Sequence, residues 1–329
     1  MKTILSFFFI LTFFIQNSIA QQFYGIEPLA HTYSIVAYDS ITGDMGVAVQ
    51  SHWFSVGPLV AWGEAGVGVV ATQSFVNPDF GPKGLELLKN GLSPQEALDS
   101  LLSEDEGQAV RQVAILNNKG IAAVHTGEKC IQSAGHILGD NYSVQANLME
   151  NDKVWRAMSK AFEKSYRLPL AERMVTALDA AQGVGGDIRG KQSAAILIVR
   201  AKPTGQIWKD RLVDLRVEDH KNPVKELKRL LKVHRAYEHM NEGDLAVEKG
   251  DIEKAMVEYN AASEMFPDNE EMKFWTAVTL ANVGRLDDAL PLFKEVFSKN
   301  ENWRVLTPRL IDNQLLTVSE ADLEKILAQ

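Results

Sequence analysis

A break near Pro223 divides this sequence into two kinds of folding instruction. Upstream, from Thr32 to about residue 220, short runs of β-formers bounded by Gly, Asp and Asn turns alternate with helical stretches. Downstream the strand-like runs stop, and small and apolar residues recur at helical spacing. One hydrophobic core cannot serve both patterns. The chain is therefore expected to fold as an α+β part followed by an all-α part.

In the first part, Thr32 to Tyr38 and Met45 to Gln50 flank Asp39-Ser40-Ile41-Thr42-Gly43-Asp44, a turn signal, and so predict a hairpin. Further strands are expected at Gly66 to Gln73, Val110 to Leu116, Ile121 to Val124, Ser193 to Val199 and Leu212 to Val217. Helices are expected at Gly84 to Asn90, Pro94 to Leu102, Lys153 to Lys164 and Leu170 to Ala181. Ser93 suits the N-cap of the second of these, with Pro94 at the first helical position. Hairpin strands followed by helix pairs favour antiparallel sheets covered by helices over a doubly wound parallel sheet.

In the second part, residues 223–329, Gly250, Ala255 and Tyr259 recur 34 residues later as Gly284, Ala289 and Phe293. With Gly243, Ala262 and Pro267 the first unit resembles the tetratricopeptide repeat. The second unit, which adds Val296, lacks the closing proline. Small residues let paired helices approach closely, and the aromatic fills the groove between them. Two units are few for a free-standing solenoid, so packing on Pro223 to Glu238 and on the tail after Arg304 is expected. A generic helical bundle is the alternative.

The N-terminus reads as an export leader over residues 1–20. Lys2 precedes an apolar run from Ile4 to Ile15, and Ser18 and Ala20 give the small-x-small cleavage pattern. The run is shorter than the roughly 20 apolar residues that span a bilayer. A secreted or periplasmic protein with no membrane span is expected. The formal charge of −9, with no basic run, gives no electrostatic case for nucleic acid. Cys130 is the sole cysteine, which excludes an internal disulfide and reads as a packing residue.

Several stretches resemble the bacterial domain-of-unknown-function 1028 family over about residues 31 to 232. They include Thr32-Tyr33-Ser34-Ile35-Val36-Ala37, Gly66-Val67-Gly68-Val69-Val70-Ala71-Thr72-Gln73 and Ala123-Val124-His125-Thr126-Gly127. Gly185-Gly186-Asp187-Ile188-Arg189-Gly190 and Asp214-Leu215-Arg216 are the more specific blocks. The family is similar to the N-terminal nucleophile hydrolases. That resemblance implies a four-layer αββα sandwich over residues 32–222, with 21–31 as a propeptide or linker.

The same resemblance gives Thr32 a role, because cytoplasmic members begin at this threonine after Met removal. A terminal Thr carries its own base, an α-amine of pKa about 7.7–8.0 that is about a tenth neutral at pH 7. Here Thr32 follows His31, so the role requires a second cleavage, by the chain itself or another protease. Otherwise Thr32 only starts the first strand.

An amide hydrolase also needs oxyanion donors, for which Gln73 and Asn147 are candidates. Asp187 and Arg189, in a Gly-flanked loop, fit either a carboxylate clamp or a structural ion pair. Ser51 and His52, following a strand, His125 at a strand end, and Asp214 with Arg216 on one strand face complete the candidate binding set. Asp219-His220 lacks partner spacing for a metal, and Gly183 to Gly190 lacks the phosphate-loop pattern, so no metal or cofactor is expected. No lysine precedes Lys83 after Thr32, unlike the proteasome-like branch, which uses one to tune its nucleophile.

Two functions remain open: hydrolysis of an amide in a small molecule or peptide, with Thr32 as nucleophile, or non-catalytic ligand binding with the repeats holding a protein partner. The repeats could equally join two copies of the chain.

Overall fold

The computed structural model describes residues 29–329. The export leader, and the 21–31 segment apart from Leu29 to His31, lie outside the described residues. The chain forms two compact units, one ending at Leu227 and the other running from Lys228 to Gln329.

The first unit is built on two antiparallel sheets. Strands β1 (Leu29–Ala30), β5 (Gly68–Phe75), β6 (Arg111–Asn117) and β7 (Ala122–Thr126) lie in that order, with β4 (Ala61–Glu64) also paired to β5. The other sheet orders β11 (Arg211–Val217), β10 (Ser193–Val199), β3 (Met45–Ser51), β2 (Thr32–Tyr38), β9 (Tyr142–Ala146) and β8 (Gly135–Gly139). Alternation along each strand sends one set of side chains between the sheets and the other toward helices. Val36, Val47 and Val49 of one sheet and Val69, Ala71, Ala114 and Leu116 of the other form the apolar part of the inter-sheet core. Helices Phe80–Lys89 and Pro94–Ser103 cover β5 and β6 through Leu85, Leu98 and Leu101 against Val70, Val113 and Ile115. Helices Val154–Lys164 and Leu170–Gly183 cover the other sheet, where Tyr142 packs on Phe162. The succession is helix, sheet, sheet, helix.

Local chemistry accounts for the expected elements. Asp39 Oδ1 accepts from the backbone N–H groups of Ile41 and Thr42, and Gly43 takes a φ of +79°, which closes the β2–β3 hairpin in the register Thr32 to Ser51. Ser93 and Glu96 form a complete capping box. The strand expected from Gly66 starts at Gly68, because Gly66, at φ +74°, is the turn from β4. The helix expected from Gly84 begins earlier, at Phe80. There Gly81 lies against the Trp62 ring, an approach a side chain would block.

The second unit is helical: the helix that begins at Pro223 runs into it to Glu248, followed by Ile252–Met265, Glu270–Asn282, Leu286–Lys299 and shorter segments. The recurring residues Ala255, Tyr259, Ala289 and Phe293 are all fully buried. Gly243 abuts the Tyr259 ring, and the Tyr259 hydroxyl donates to Asp244 Oδ1 at 2.7 Å. Among the described residues no helix is long and apolar enough to cross a membrane.

Candidate functional site

The space between the sheets has an apolar end and a polar end, and Thr32 lies at the polar one. On β2 the inward positions run Val36, Ser34, Thr32. Ser34 and Thr32 are fully buried, as are Ser51, Gln73, Gln112, Gln145 and Asn147 around them. Buried polar groups without partners each cost about 1–3 kcal/mol, and here they satisfy one another. The Ser34 hydroxyl donates to Gln73 Oε1 at 2.6 Å and accepts from Gln145 Nε2 at 2.6 Å. Gln112 Oε1 accepts from Gln73 Nε2 at 2.6 Å and from Asn147 Nδ2 at 2.9 Å, while Gln112 Nε2 donates to Thr126 Oγ1 and the Ala146 carbonyl. The network bridges both sheets.

The backbone entering this end changes sheets. Leu29 and Ala30 pair with Phe75 and Ser74 of β5, whereas Thr32 pairs with Ser51 of β3. His31 makes the crossing. Its carbonyl oxygen accepts from Ser51 Oγ at 2.6 Å and from Arg189 Nη2 at 2.8 Å. Two donors on one oxygen, one of them cationic, polarise the His31–Thr32 peptide bond. Thr32 Oγ1 donates to the Ala30 carbonyl at 2.7 Å. The Thr32 carbonyl accepts from Asn147 N–H at 3.1 Å and Gln73 Nε2 at 3.2 Å.

Arg189 is aimed by Asp187, which is 2% exposed. Asp187 Oδ1 accepts from Arg189 Nε at 3.0 Å and Oδ2 from Nη2 at 2.7 Å, a two-point pair that also receives the His52 backbone N–H. Gly185, Gly186 and Gly190 all have positive φ, which lets the loop turn tightly enough to place this pair. Ser74, adjacent to Gln73, is fully buried with φ +78°, a strained conformation for a residue bearing a Cβ. Arg111, itself 1% exposed, fixes the neighbouring backbone by donating from Nη1 to the Phe75 carbonyl at 2.6 Å.

The His31 ring is buried, and Nδ1–H donates to Asn147 Oδ1 at 2.9 Å, since that oxygen can only accept. Burial, with Arg189 nearby, pushes its pKa below the usual value, against the opposing pull of Asn147 and Asp187. Burial, together with Asp187 and Asp179, raises the Tyr33 hydroxyl on the opposite face of β2 well above the ordinary range.

Of the candidate residues, Thr32, Ser51, Gln73, Asn147, Asp187 and Arg189 converge here, with His52 joined through its backbone. His125 does not: its Nε2 donates to the Gln108 carbonyl on the outer face of β7. Asp214 and Arg216 pair with each other, and Asp214 with Arg211, on β11, which β10 and β3 separate from β2. Sequence reasoning missed His31, Ser34, Gln112 and Gln145. A signal existed for Gln112, a polar residue in line with the inward-facing Ala114 and Leu116 of the same strand. Among the described residues no cluster of His, Cys, Asp and Glu could hold a metal ion, and no lysine is buried.

The model of a family of unknown function, DUF1028, matches residues 32–227, a span that begins at Thr32. The chain belongs to the DUF1028 family. Its match to a crystal structure of another DUF1028 protein, from Silicibacter pomeroyi, has 31% identity and a TM-score of 0.56, covering 62% of this chain and 85% of that one. An ancestral β-subunit, Anbu, from Yersinia bercovieri matches at 12% identity and a TM-score of 0.30, over 60% of this chain and 92% of that one. Comparison with curated proteins gives no match.

Proposed function

We propose that this DUF1028 protein is an exported hydrolase of amide bonds, of the N-terminal nucleophile type, with Thr32 as nucleophile. The observation that carries the reading is the His31 carbonyl, held between Ser51 Oγ and Arg189 Nη2 directly before Thr32. In the uncut chain Thr32 has no free amine, so cleavage of the His31–Thr32 bond is the activating step. Burial of both residues favours cleavage by the chain itself over a separate protease, which could not reach the bond.

In that step Thr32 Oγ1 attacks the His31 carbonyl carbon, and the charge developing on the oxygen falls on Ser51 and Arg189. The C–N bond breaks as the hydroxyl proton passes to the Thr32 nitrogen, leaving an ester. Water hydrolyses the ester to a His31 carboxylate and a free Thr32 hydroxyl and amine. Catalysis on a separate substrate repeats the sequence. The amine takes the hydroxyl proton, Oγ1 attacks the amide carbonyl, the leaving amine departs with the proton, and water releases the acyl group. Gln73 and Asn147, on the Thr32 carbonyl, position the nucleophile.

Within the same reading, residues 32–222 adopt the αββα sandwich of N-terminal nucleophile hydrolases. The helical part carries tetratricopeptide-like repeats that hold a protein partner or a second copy of the chain. The apolar run Ile4 to Ile15 before Ser18 and Ala20 motivates export. A second reading, ligand binding without catalysis, is favoured by the absence of a buried lysine among the described residues. Thr32→Ala decides between them: the hydrolase reading requires cleavage and turnover to vanish with the fold intact, and retained turnover overturns it.

A further inference from the structure

The chain's own Leu29 to His31 occupy the acyl side of the bond that Thr32 is placed to attack. Three contacts define that occupancy. Leu29 and Ala30 extend along β5, pairing with Phe75 and Ser74. Ala30 is fully buried in the inter-sheet apolar cluster, so the second position from the bond lies in a space filled by a single methyl group. The His31 ring, 3% exposed, places Nδ1–H on Asn147 Oδ1 and stands edge-on to Phe75 with ring centroids 5.5 Å apart. Asn147 cannot turn its amide to offer a donor there, because Nδ2 is committed to Gln112 Oε1 at 2.9 Å. The pocket wall is therefore an acceptor.

From this juxtaposition we propose that the site takes extended peptides or peptide-like amides whose acyl residue bears an uncharged N–H donor and whose preceding residue is small and apolar. Once the segment ending at His31 leaves, the Ser74–Phe75 edge of β5 loses its partner strand, and the acceptor on Asn147, the methyl-sized space and the carbonyl donors Ser51 and Arg189 are vacated together. A substrate strand fills the edge by backbone pairing, and the two pockets select its side chains. An apolar acyl residue leaves Asn147 Oδ1 buried and unpaired, and a lysine brings a charge into the space beside Arg189; both are disfavoured. A bulky second residue has no room. The reaction is the amide hydrolysis already written, yielding a peptide carboxylate and a free amine. The inference rests on the hydrolase reading and adds its substrate class.

The test uses the full chain, exported and purified, with its first residue read by intact mass. Rates are measured on acetyl-Leu-Ala-X-aminomethylcoumarin with X as His, Gln, Leu or Lys, and on the Leu-Phe-His counterpart. Binding of acetyl-Leu-Ala-His carboxylate is measured by calorimetry, which needs no turnover. The proposal expects His and Gln to exceed Leu and Lys by about tenfold or more in kcat/KM, the fold-change for one buried acceptor left unpaired. The Leu-Phe-His substrate should fall by a similar factor. Hydrolysis of all X at equal rates overturns the substrate class and leaves the hydrolase standing. Tight carboxylate binding with no hydrolysis supports the acyl site and sinks the hydrolase. Active protein that still carries residues upstream of Thr32 overturns both.

Discussion

His31 and Arg189 meet at one carbonyl oxygen, and the two residues affect the chain through different physics. Arg189 supplies the charged donor, so Arg189→Met should slow the appearance of cleaved chain by about 10²–10³-fold, the loss seen when one oxyanion donor is removed. The change strands Asp187, whose side chain is fully buried. Asp187→Asn combined with Arg189→Met removes the stranded charge. The double variant should therefore fold normally and still cleave slowly, as followed by intact mass over time; cleavage at the parental rate would assign Arg189 a packing role only.

His31 acts through protonation. Its pKa is lowered from 6.5 in the folded chain, foremost by burial, so the unfolded chain binds the proton first as pH falls. Its contribution to stability is complete above the ordinary histidine value and declines as pH drops from there toward the depressed folded value. The decline is steepest at about 1.4 kcal/mol per pH unit. In a Thr32→Ala background, uncut under the proposed mechanism, thermal melting between pH 7.5 and 5 should show this loss, and adding His31→Gln should flatten it. Equal slopes in the two chains would mean that His31 titrates as in the unfolded state.

At the scale of elements, the polar end of the inter-sheet space depends on strands contributed by both sheets. Gln112 of β6 accepts from Gln73 and from Asn147 of the opposite sheet, and donates to the Ala146 carbonyl there. Gln112→Leu removes four hydrogen bonds of buried groups at once, at about 1 kcal/mol each. A drop of about 3 kcal/mol or more in urea unfolding is expected, and a change below about 1 kcal/mol would show that the network relaxes onto other partners.

The same strands show why legibility was uneven. β2, β3 and β10 carry apolar side chains on both faces or sit beside strong turn signals, and local pattern places them within a residue or two. β9 escapes because its alternation is inverted: Tyr142 and Val144 face the helices, while Ser143 and Gln145 face the space between the sheets. Read locally, polar residues mark solvent; here they mark a hydrogen-bonded interior whose partners lie on other strands. β1 and β4 are too short to show a period, and β8, glycine at both ends, presents weak β-propensity. The site divides in the same way. Ser51, Asp187 and Arg189 were visible as polar groups at a strand end and in a glycine-rich loop. His31 acquires its role only through residues far away in sequence, and Gln112 shows locally only as a polar residue in a strand with an apolar middle.

At the scale of the whole molecule, the change of pattern near Pro223 corresponds to the division into two compact units. Every residue gathered around Thr32 lies before Leu227, and the aromatic core of Phe274, Phe293 and Trp303 lies after Lys228. The family match likewise stops at residue 227. On the proposed function, two separate cuts are needed, one after Ala20 that removes the leader and one after His31 that frees the Thr32 amine. The most direct measurement is the N-terminal residue of the purified exported protein, read by intact mass for the parental chain and for Thr32→Ala. Thr32 should be the first residue of active protein, and the Thr32→Ala chain should stay inactive and begin at Gln21. Fully active protein that begins at Gln21 would contradict the proposed function.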